Sequence, residues 1–204
     1  VVITHMEHHS NQTSWQECDV DLAILPANDK GMPDLQHLAK LLEENQHRPL
    51  LLGSFTACSN VTGIQTPIHE MAAIMHQYGG LCLVDYAASA PYVAIDMHPE
   101  DPDQQLDGVM FSPHKFLGGP GSCGVLVFNK ALYHNQVPDQ PGGGTVTWTN
   151  PWGEHHYFDD IETREDGGTP GFLQAIRAAL AIQVKEAMGV ERIHQAEHRL
   201  NGAF

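Results

Sequence analysis

The stretch DGVMFSPHKFLGGPGSCGVLV, residues 107–127, predicts two strands joined by a loop. A short apolar run at 109–111 ends at Ser112, and glycine and proline then dominate 118–121. A second apolar run begins at Val125. The loop between the runs opens with a hydroxyl, an imidazole and an amine, so it carries reactive groups where a strand ends.

The amine of this loop belongs to Lys115, the only lysine between positions 40 and 130. An amine at the end of a buried strand is expected to lose part of its hydration, which favours its neutral, nucleophilic form. A Schiff-base lysine requires that form. An ordinary surface lysine is the alternative, and the residues elsewhere in the chain are needed to distinguish it from a Schiff-base lysine.

Composition excludes several classes of protein. The 204 residues suit one large domain, and a hydrophobic content of 42% is sufficient for a core. The net charge of -15 comes without a basic cluster, which argues against a nucleic-acid partner. No apolar run reaches membrane-spanning length, and no basic-then-apolar leader opens the sequence. We therefore expect a soluble, cytoplasmic protein without membrane contact.

The four cysteines and 14 histidines predict neither a disulfide framework nor a metal site. The cysteines lack CxxC spacing, and Cys82 lies in an apolar run, as buried free thiols often do. The histidine pairs His8-His9 and His155-His156 are adjacent, whereas a helical zinc site uses i, i+4 pairs. We expect no metal.

Strands and helices are predicted to alternate along most of the chain. Apolar runs predict buried strands, and leucine or methionine at helical spacing predicts helices. The predicted strands are 1–4, 20–25, 50–55, 81–85, 109–111 and 125–128, and the predicted helices are 33–46, 67–78, 171–188 and 190–200. Residues 5–15 are expected to form a polar loop, and 148–162 receive no assignment. The alternation indicates an α/β fold with a mostly parallel sheet.

Polar side chains follow four of the predicted strands. His8 comes after the first strand and Asn60 after the strand at 50–55. Asp85 ends the next strand, and Lys115 follows the strand of the opening stretch. Ligands of such sheets bind at the carboxyl ends of the strands. Each residue alone fits a turn or a cap, but together they predict a site.

The segments that contain these residues resemble class V pyridoxal-phosphate (PLP) enzymes of fold type I, the cysteine desulfurase and selenocysteine lyase group. The matching segments are EHHSN at 7–11, SNVTG at 59–63, LVDYAASAP at 83–91, SPHKFLGGPGSCG at 112–124, PGGG at 141–144 and REDGGTP at 164–170. Their order and spacing cover most of the chain. The resemblance implies that residues 1–204 form the three-layer, PLP-binding large domain. An N-terminal segment and a small C-terminal domain are expected outside this chain.

The resemblance also implies roles for seven residues, with pyridoxal 5'-phosphate as the cofactor. Lys115 is implied to form the internal aldimine and then to move the Cα proton. Asp85 is implied to keep the pyridine nitrogen protonated through a charge-assisted bond worth about 1.5–3 kcal/mol. His8 is implied to stack on the ring and completes the catalytic set. The remaining implied contacts are Asn60 with the phenolic oxygen, Ser112 and His114 with the phosphate, and Thr169 with the phosphate of a neighbouring subunit.

Some of these roles have alternatives in the sequence. Asp85 could instead cap the next turn, and His8 could be a solvent-exposed loop residue. Ala88 stands where the family often has a glutamine three residues after the aspartate. The resemblance therefore implies that Asn60 binds the phenolic oxygen alone.

An enzyme acting at Cα–H of an amino acid is the implied function, with Cβ–S or Cβ–Se cleavage as the outcome. A class V aminotransferase or an isopenicillin-N-epimerase-like enzyme is the alternative outcome. The substrate-carboxylate arginine and any persulfide cysteine are expected outside this chain. A non-catalytic PLP-fold module would lack Lys115 or Asp85, and both are present. A nucleotide-binding domain would show GxGxxG after the first strand or a Walker lysine, and the sequence has neither.

A homodimer with shared active sites follows from the implied role of Thr169. Residues 142–168 are rich in glycine, aromatic and acidic residues, which suit a packed core poorly. Trp148, Trp152, Tyr157 and Phe158 would lie in an exposed apolar patch on a monomer. Burial against a two-fold mate would remove that patch, and folding of the segment over its own sheet is the alternative.

Overall fold

Six strands form one mixed sheet in the computed structural model, which describes residues 1–203. The strands are β1 (Val2–Thr4), β2 (Ala23–Leu25), β3 (Leu52–Thr56), β4 (Leu81–Asp85), β5 (Gly108–Phe111) and β6 (Val125–Phe128). Their order is β2-β1-β3-β4-β5-β6, and only the β5–β6 pair is antiparallel. The predicted α/β class with a mostly parallel sheet is confirmed. Phe204, the last residue of the predicted domain, lies outside the described residues.

Six α-helices accompany these strands within residues 1–203. They are α1 (His9–Gln16), α2 (Leu35–Glu44), α3 (Ile68–Gln77), α4 (Ile161–Glu165), α5 (Phe172–Met188) and α6 (Val190–Asn201). The four predicted helices are confirmed to within two residues at each end. The carboxylate of Asp34 caps α2 by accepting hydrogen bonds from the backbone N–H groups of Gln36 and His37. No helix of the described chain is both long and apolar enough to span a bilayer.

The hydrophobic core joins the sheet to α2 and α3. Every residue of β3 is buried, as expected for a central parallel strand. Leu38 and Leu42 of α2 and Met71 and Met75 of α3 are also buried. Full burial of a side chain of this size contributes about 1.5–3 kcal/mol. The carboxyl ends of the central strands therefore extend from a well-packed hydrophobic core.

The expectation of a polar loop at residues 5–15 is wrong, because helix α1 begins at His9. This helix buries only Asn11 and has no apolar stripe that a sequence pattern could reveal. Polar contacts hold it instead. The imidazole of His8 caps its first turn, and Asn11 bonds to Ser54 of β3.

The segment that received no assignment forms a separate two-stranded sheet followed by α4. Its strands are β7 (Val146–Thr149) and β8 (His155–Tyr157), which pair antiparallel. Trp148 is 50% exposed and Trp152 is 84% exposed. Tyr157 and Phe158 are half-buried, so the expected exposure of the four aromatic side chains is observed for the two tryptophans only.

Candidate active site

One edge of the sheet collects the predicted site residues. Strands β1, β3, β4 and β5 are adjacent and parallel, so their carboxyl ends meet there. A cavity of about 300 Å³ lies at this edge. Six of the seven predicted residues line it: His8, Asn60, Asp85, Ser112, His114 and Lys115.

Asp85 lies near the middle of this edge, at the last position of β4. It is paired in register with Thr56 of β3 and Met110 of β5. One carboxylate oxygen, Oδ1, accepts a hydrogen bond from the backbone N–H of Ala87 at 2.7 Å. The alternative capping role is thus present, but it occupies one oxygen only. No described residue donates to Oδ2, which can bind a cationic group in the cavity.

A tight turn holds Lys115 at the cavity. Residues Pro113–Lys115 form one 3-10 turn after β5, and the buried ring of Phe116 anchors its end in the core. The chain then folds back so closely that a Cβ on Gly119 would lie 1.8 Å from the carbonyl oxygen of Pro113. Only glycine fits at this contact. The glycine-rich loop therefore shapes the turn that carries the lysine.

The expected dehydration of Lys115 is not observed. Its side chain is exposed, because the 3-10 turn carries it beyond the end of β5. The sequence located the lysine at a buried strand end but did not show that the turn projects it outward. Lys115 nevertheless lines the same cavity as Asp85, although its amine remains exposed to solvent.

His8 is half-buried and has a defined tautomer. Its Nδ1 accepts hydrogen bonds from the backbone N–H of Ser10 at 3.2 Å and from the Ser10 hydroxyl at 2.6 Å. A backbone N–H can only donate, so Nδ1 carries no proton in this arrangement. The neutral ring therefore bears its hydrogen on Nε2. The ring caps α1, and its stacking on a cofactor stays a prediction.

Three further residues of the cavity were missed by sequence reasoning. Ser10 lies in α1, where its backbone N–H and its hydroxyl bind the Nδ1 of the capping His8. Thr56 ends β3 at the same edge as Asp85, and its hydroxyl donates to the carbonyl of Cys58 at 2.9 Å. Burial raises the pKa of the Cys58 thiol, so it stays protonated at neutral pH.

Thr169 is the predicted site residue that the structure does not bring to this cavity. It is exposed in the connection between α4 and α5. Its implied contact is with the phosphate of another subunit, so the single chain leaves that prediction open. Nor does any group of three His, Cys, Asp or Glu side chains within residues 1–203 have the proximity needed to hold a metal ion.

The chemistry of the cavity fits PLP. Asp85 offers a carboxylate oxygen for a protonated ring nitrogen, and Lys115 offers a primary amine for the aldehyde. Ser112 and His114 line the same cavity, and both side chains are capable of donating a hydrogen bond to a phosphate. A mostly parallel sheet with such groups at its carboxyl edge is the fold type I architecture of PLP-binding large domains.

Comparison with known families agrees with this class. The family model described as aminotransferase class-V matches residues 1–203. This chain belongs to the class V aminotransferase family, and the resemblance inferred from the motifs is confirmed.

Curated relatives of the chain are named as cysteine desulfurases. A cysteine desulfurase of Synechococcus elongatus is 31% identical over 98% of this chain, which spans 31% of that protein. A probable cysteine desulfurase of Halalkalibacterium halodurans is 32% identical over 98% of this chain, which spans 48% of that protein. The chain thus spans less than half of each of these relatives.

Solved structures of cysteine desulfurases share the fold. The apo enzyme from Thermococcus onnurineus matches 99% of this chain and 49% of its own, with a TM-score of 0.80 and 26% identity. A cysteine desulfurase from Escherichia coli matches 97% of this chain and 47% of its own, with a TM-score of 0.76 and 26% identity. The predicted fold type I is confirmed by these neighbours.

Proposed function

We propose that this chain is the PLP-binding domain of an enzyme that acts on an amino acid in the manner of cysteine desulfurases or selenocysteine lyases. The convergence of Lys115, Asp85 and His8 on one cavity carries the proposal. The names of the curated relatives and of the solved neighbours support the desulfurase type. An aminotransferase or epimerase-like outcome is the alternative, because it would use the same three residues.

Each side chain has a distinct task in this proposal. Bound PLP supplies an electron sink for a bond broken at the substrate Cα. The Lys115 amine holds the cofactor and then accepts and returns the Cα proton. Asp85 keeps a proton on the pyridine nitrogen through its Oδ2, and the neutral ring of His8 covers one face of the cofactor.

The remaining proposed contacts anchor the cofactor. Asn60 donates to the phenolic oxygen, since Ala88 in the same cavity has no side-chain donor. Ser112 and His114 bind the phosphate, and the hydroxyl of Ser112 is not engaged in capping the turn that follows it. Thr169 of a second subunit completes the phosphate site, which makes a homodimer part of the proposal.

A cytoplasmic location is also proposed. All four cysteines are free thiols, and Cys58 and Cys82 are buried, as suits a reducing compartment.

Chemical trapping of Lys115 tests the cofactor site. We expect the full-length protein with PLP to absorb visible light, and borohydride to fix the cofactor on Lys115, as peptide mapping would show. Lys115→Ala should abolish the adduct, whereas Lys130→Ala, a lysine outside the cavity, should retain it. A reduced adduct on any other lysine would refute the assignment.

Product analysis tests the reaction. The desulfurase or lyase type predicts alanine together with released sulfur or selenium from cysteine or selenocysteine. Formation of the 2-oxo acid that retains the sulfur or selenium, without alanine, would instead support the aminotransferase alternative.

A further inference from the structure

We propose that Glu7 is a positioning residue that acts with Asn11 to fix His8 at the cavity. The importance of His8 rests on the proposed function, whereas the positioning itself is a property of the chain. Glu7 and Asn11 flank His8 in sequence, and each is attached to β3.

Four donors surround the carboxylate of Glu7. Its Oε1 accepts from the backbone N–H of Thr4 at 3.2 Å, the hydroxyl of Thr4 at 2.8 Å and the backbone N–H of Thr56 at 2.9 Å. Its Oε2 accepts from the Nδ2 of Asn11 at 2.8 Å. These contacts join the carboxyl ends of β1 and β3 to α1. Because the backbone groups can only donate, an acceptor is required at Oε1.

The orientation of the buried Asn11 amide is fixed independently of Glu7. Its Oδ1 accepts from the indole Nε1–H of Trp15 at 3.1 Å, and an indole N–H can only donate. The hydroxyl of Ser54 donates to the same oxygen at 2.8 Å. The Nδ2 group must then face Glu7 and the carbonyl of Ser54, at 2.8 Å and 3.1 Å. The amide cannot turn over without losing these contacts.

His8 is held between these two attachments. Its own carbonyl accepts the backbone N–H of Asn11 at 2.9 Å, and its ring caps α1. Thr56, which receives the Glu7 attachment, lines the same cavity as His8. A shift of Glu7 or Asn11 relative to β3 would therefore move the imidazole relative to Asp85 on the neighbouring strand.

The carboxylate of Glu7 is retained without a cationic partner. None of the ion pairs within residues 1–203 involves it. Burial raises the pKa of the Glu7 carboxyl, although its hydrogen bonds partly oppose that shift. A carboxylate that is costly to keep charged is expected to have a positioning role. A fully satisfied polar network fixes the relative positions of the groups that it joins.

Glu7→Gln tests this role with almost no change in volume. One oxygen becomes an amide nitrogen, which must oppose either the donors at Oε1 or the Nδ2 of Asn11. Oε1 accepts three hydrogen bonds and Oε2 accepts one, so the amide nitrogen should take the place of Oε2. The hydrogen bond to Asn11 should then break, while the hydrogen bond from Thr56 remains. Glu43→Gln, the same substitution at an exposed site on α2, is the matched control.

Two measurements on the full-length protein decide the matter. Without cofactor, Glu7→Gln should speed amide hydrogen exchange at residues 8–16 about tenfold, as expected for one broken, partly buried hydrogen bond. Exchange in β4 and β5 should not change. With PLP bound, the visible circular dichroism band should be lost, because His8 no longer holds the cofactor in one orientation. Glu43→Gln should match the parent in both.

A merely structural role would give a different result. Leu38→Ala, a cavity mutant in the core of α2, serves as a generally destabilised reference. Unchanged exchange at residues 8–16, or exchange raised throughout the protein as in Leu38→Ala, would overturn the proposal. If Glu7→Gln does not fold, Ser54→Ala removes a weaker contact of Asn11 and is judged in the same way. Absence of a PLP band in the parent protein would refute the proposed function, while the exchange data would still decide the positioning.

Discussion

At the scale of single residues, the chemistry of Asp85 depends on which of its oxygens is already bonded. Oδ1 caps the following turn through Ala87, and Oδ2 is left for the cavity. We expect Asp85→Asn to retain PLP but to slow exchange of the substrate Cα–H about a hundredfold or more. The asparagine oxygen can preserve the cap, but a neutral amide cannot stabilise a protonated pyridine nitrogen. Cα–H exchange followed by NMR in deuterated buffer measures the effect.

Asp96→Asn is the matched control for this prediction. Asp96 is exposed, and its carboxylate also accepts a hydrogen bond from the backbone N–H two residues later, here that of His98 at 2.9 Å. The substitution should leave Cα–H exchange unchanged. Equal exchange rates in Asp85→Asn and the parent would show that Asp85 does not act on the cofactor.

The sequence predicted which residues would meet, but only part of their surroundings. His8, Asn60 and Lys115 follow strands and Asp85 ends one, and parallel neighbours bring such positions to one edge. The exposure of Lys115 depends on the path of a turn, which residue order does not specify. The network of Glu7 was not found, because its partner Thr56 lies 49 positions away and contributes a backbone N–H.

At the scale of elements, the loop after β5 is shaped by contact between two parts of its own backbone. Gly119 approaches the carbonyl of Pro113 so closely that Gly119→Ala would force the turn to open. We expect this variant to lose about 1–3 kcal/mol of unfolding free energy, as overpacked sites do. The turn at Lys115 should also bind PLP more weakly. Denaturant unfolding and a PLP titration measure the two effects.

Gly124→Ala provides the comparison within the same loop. A Cβ at Gly124 meets no atom within 4 Å, so its effect on stability should stay within about 0.5 kcal/mol. If Gly119→Ala proves as mild as Gly124→Ala, the close backbone approach does not shape the turn.

The helices that the sequence predicted and the helix that it did not predict are stabilised by different interactions. Helices α2 and α3 bury an apolar face against the sheet, and spacing of leucine and methionine reveals such a face. Helix α1 is held by the imidazole cap of His8 and by the bonds of Asn11 to β3. Hydrogen bonds to distant strands leave no periodic signal, so residues 5–15 were expected to be a loop.

At the scale of the whole molecule, large apolar side chains outside the six-stranded sheet are exposed to solvent. Trp148 and Trp152 are largely exposed in the segment that leads to Thr169. Within the single chain Tyr157 and Phe158 are half-buried, whereas the two tryptophans stay exposed. A two-fold partner could cover them and receive Thr169 at its phosphate, as the proposed homodimer requires.

Mixing two inactive variants tests whether the sites are shared. A heterodimer of Thr169→Ala and Lys115→Ala chains would have one site with both residues and one with neither. If the sites are shared, separately tagged and purified heterodimers should recover about half the activity of the parent, because one site in two is complete. Asp85→Asn mixed with Lys115→Ala is the control, since both residues line the cavity of one chain and cannot complement each other. No recovery in proven Thr169→Ala and Lys115→Ala heterodimers would mean that Thr169 does not complete a partner's site.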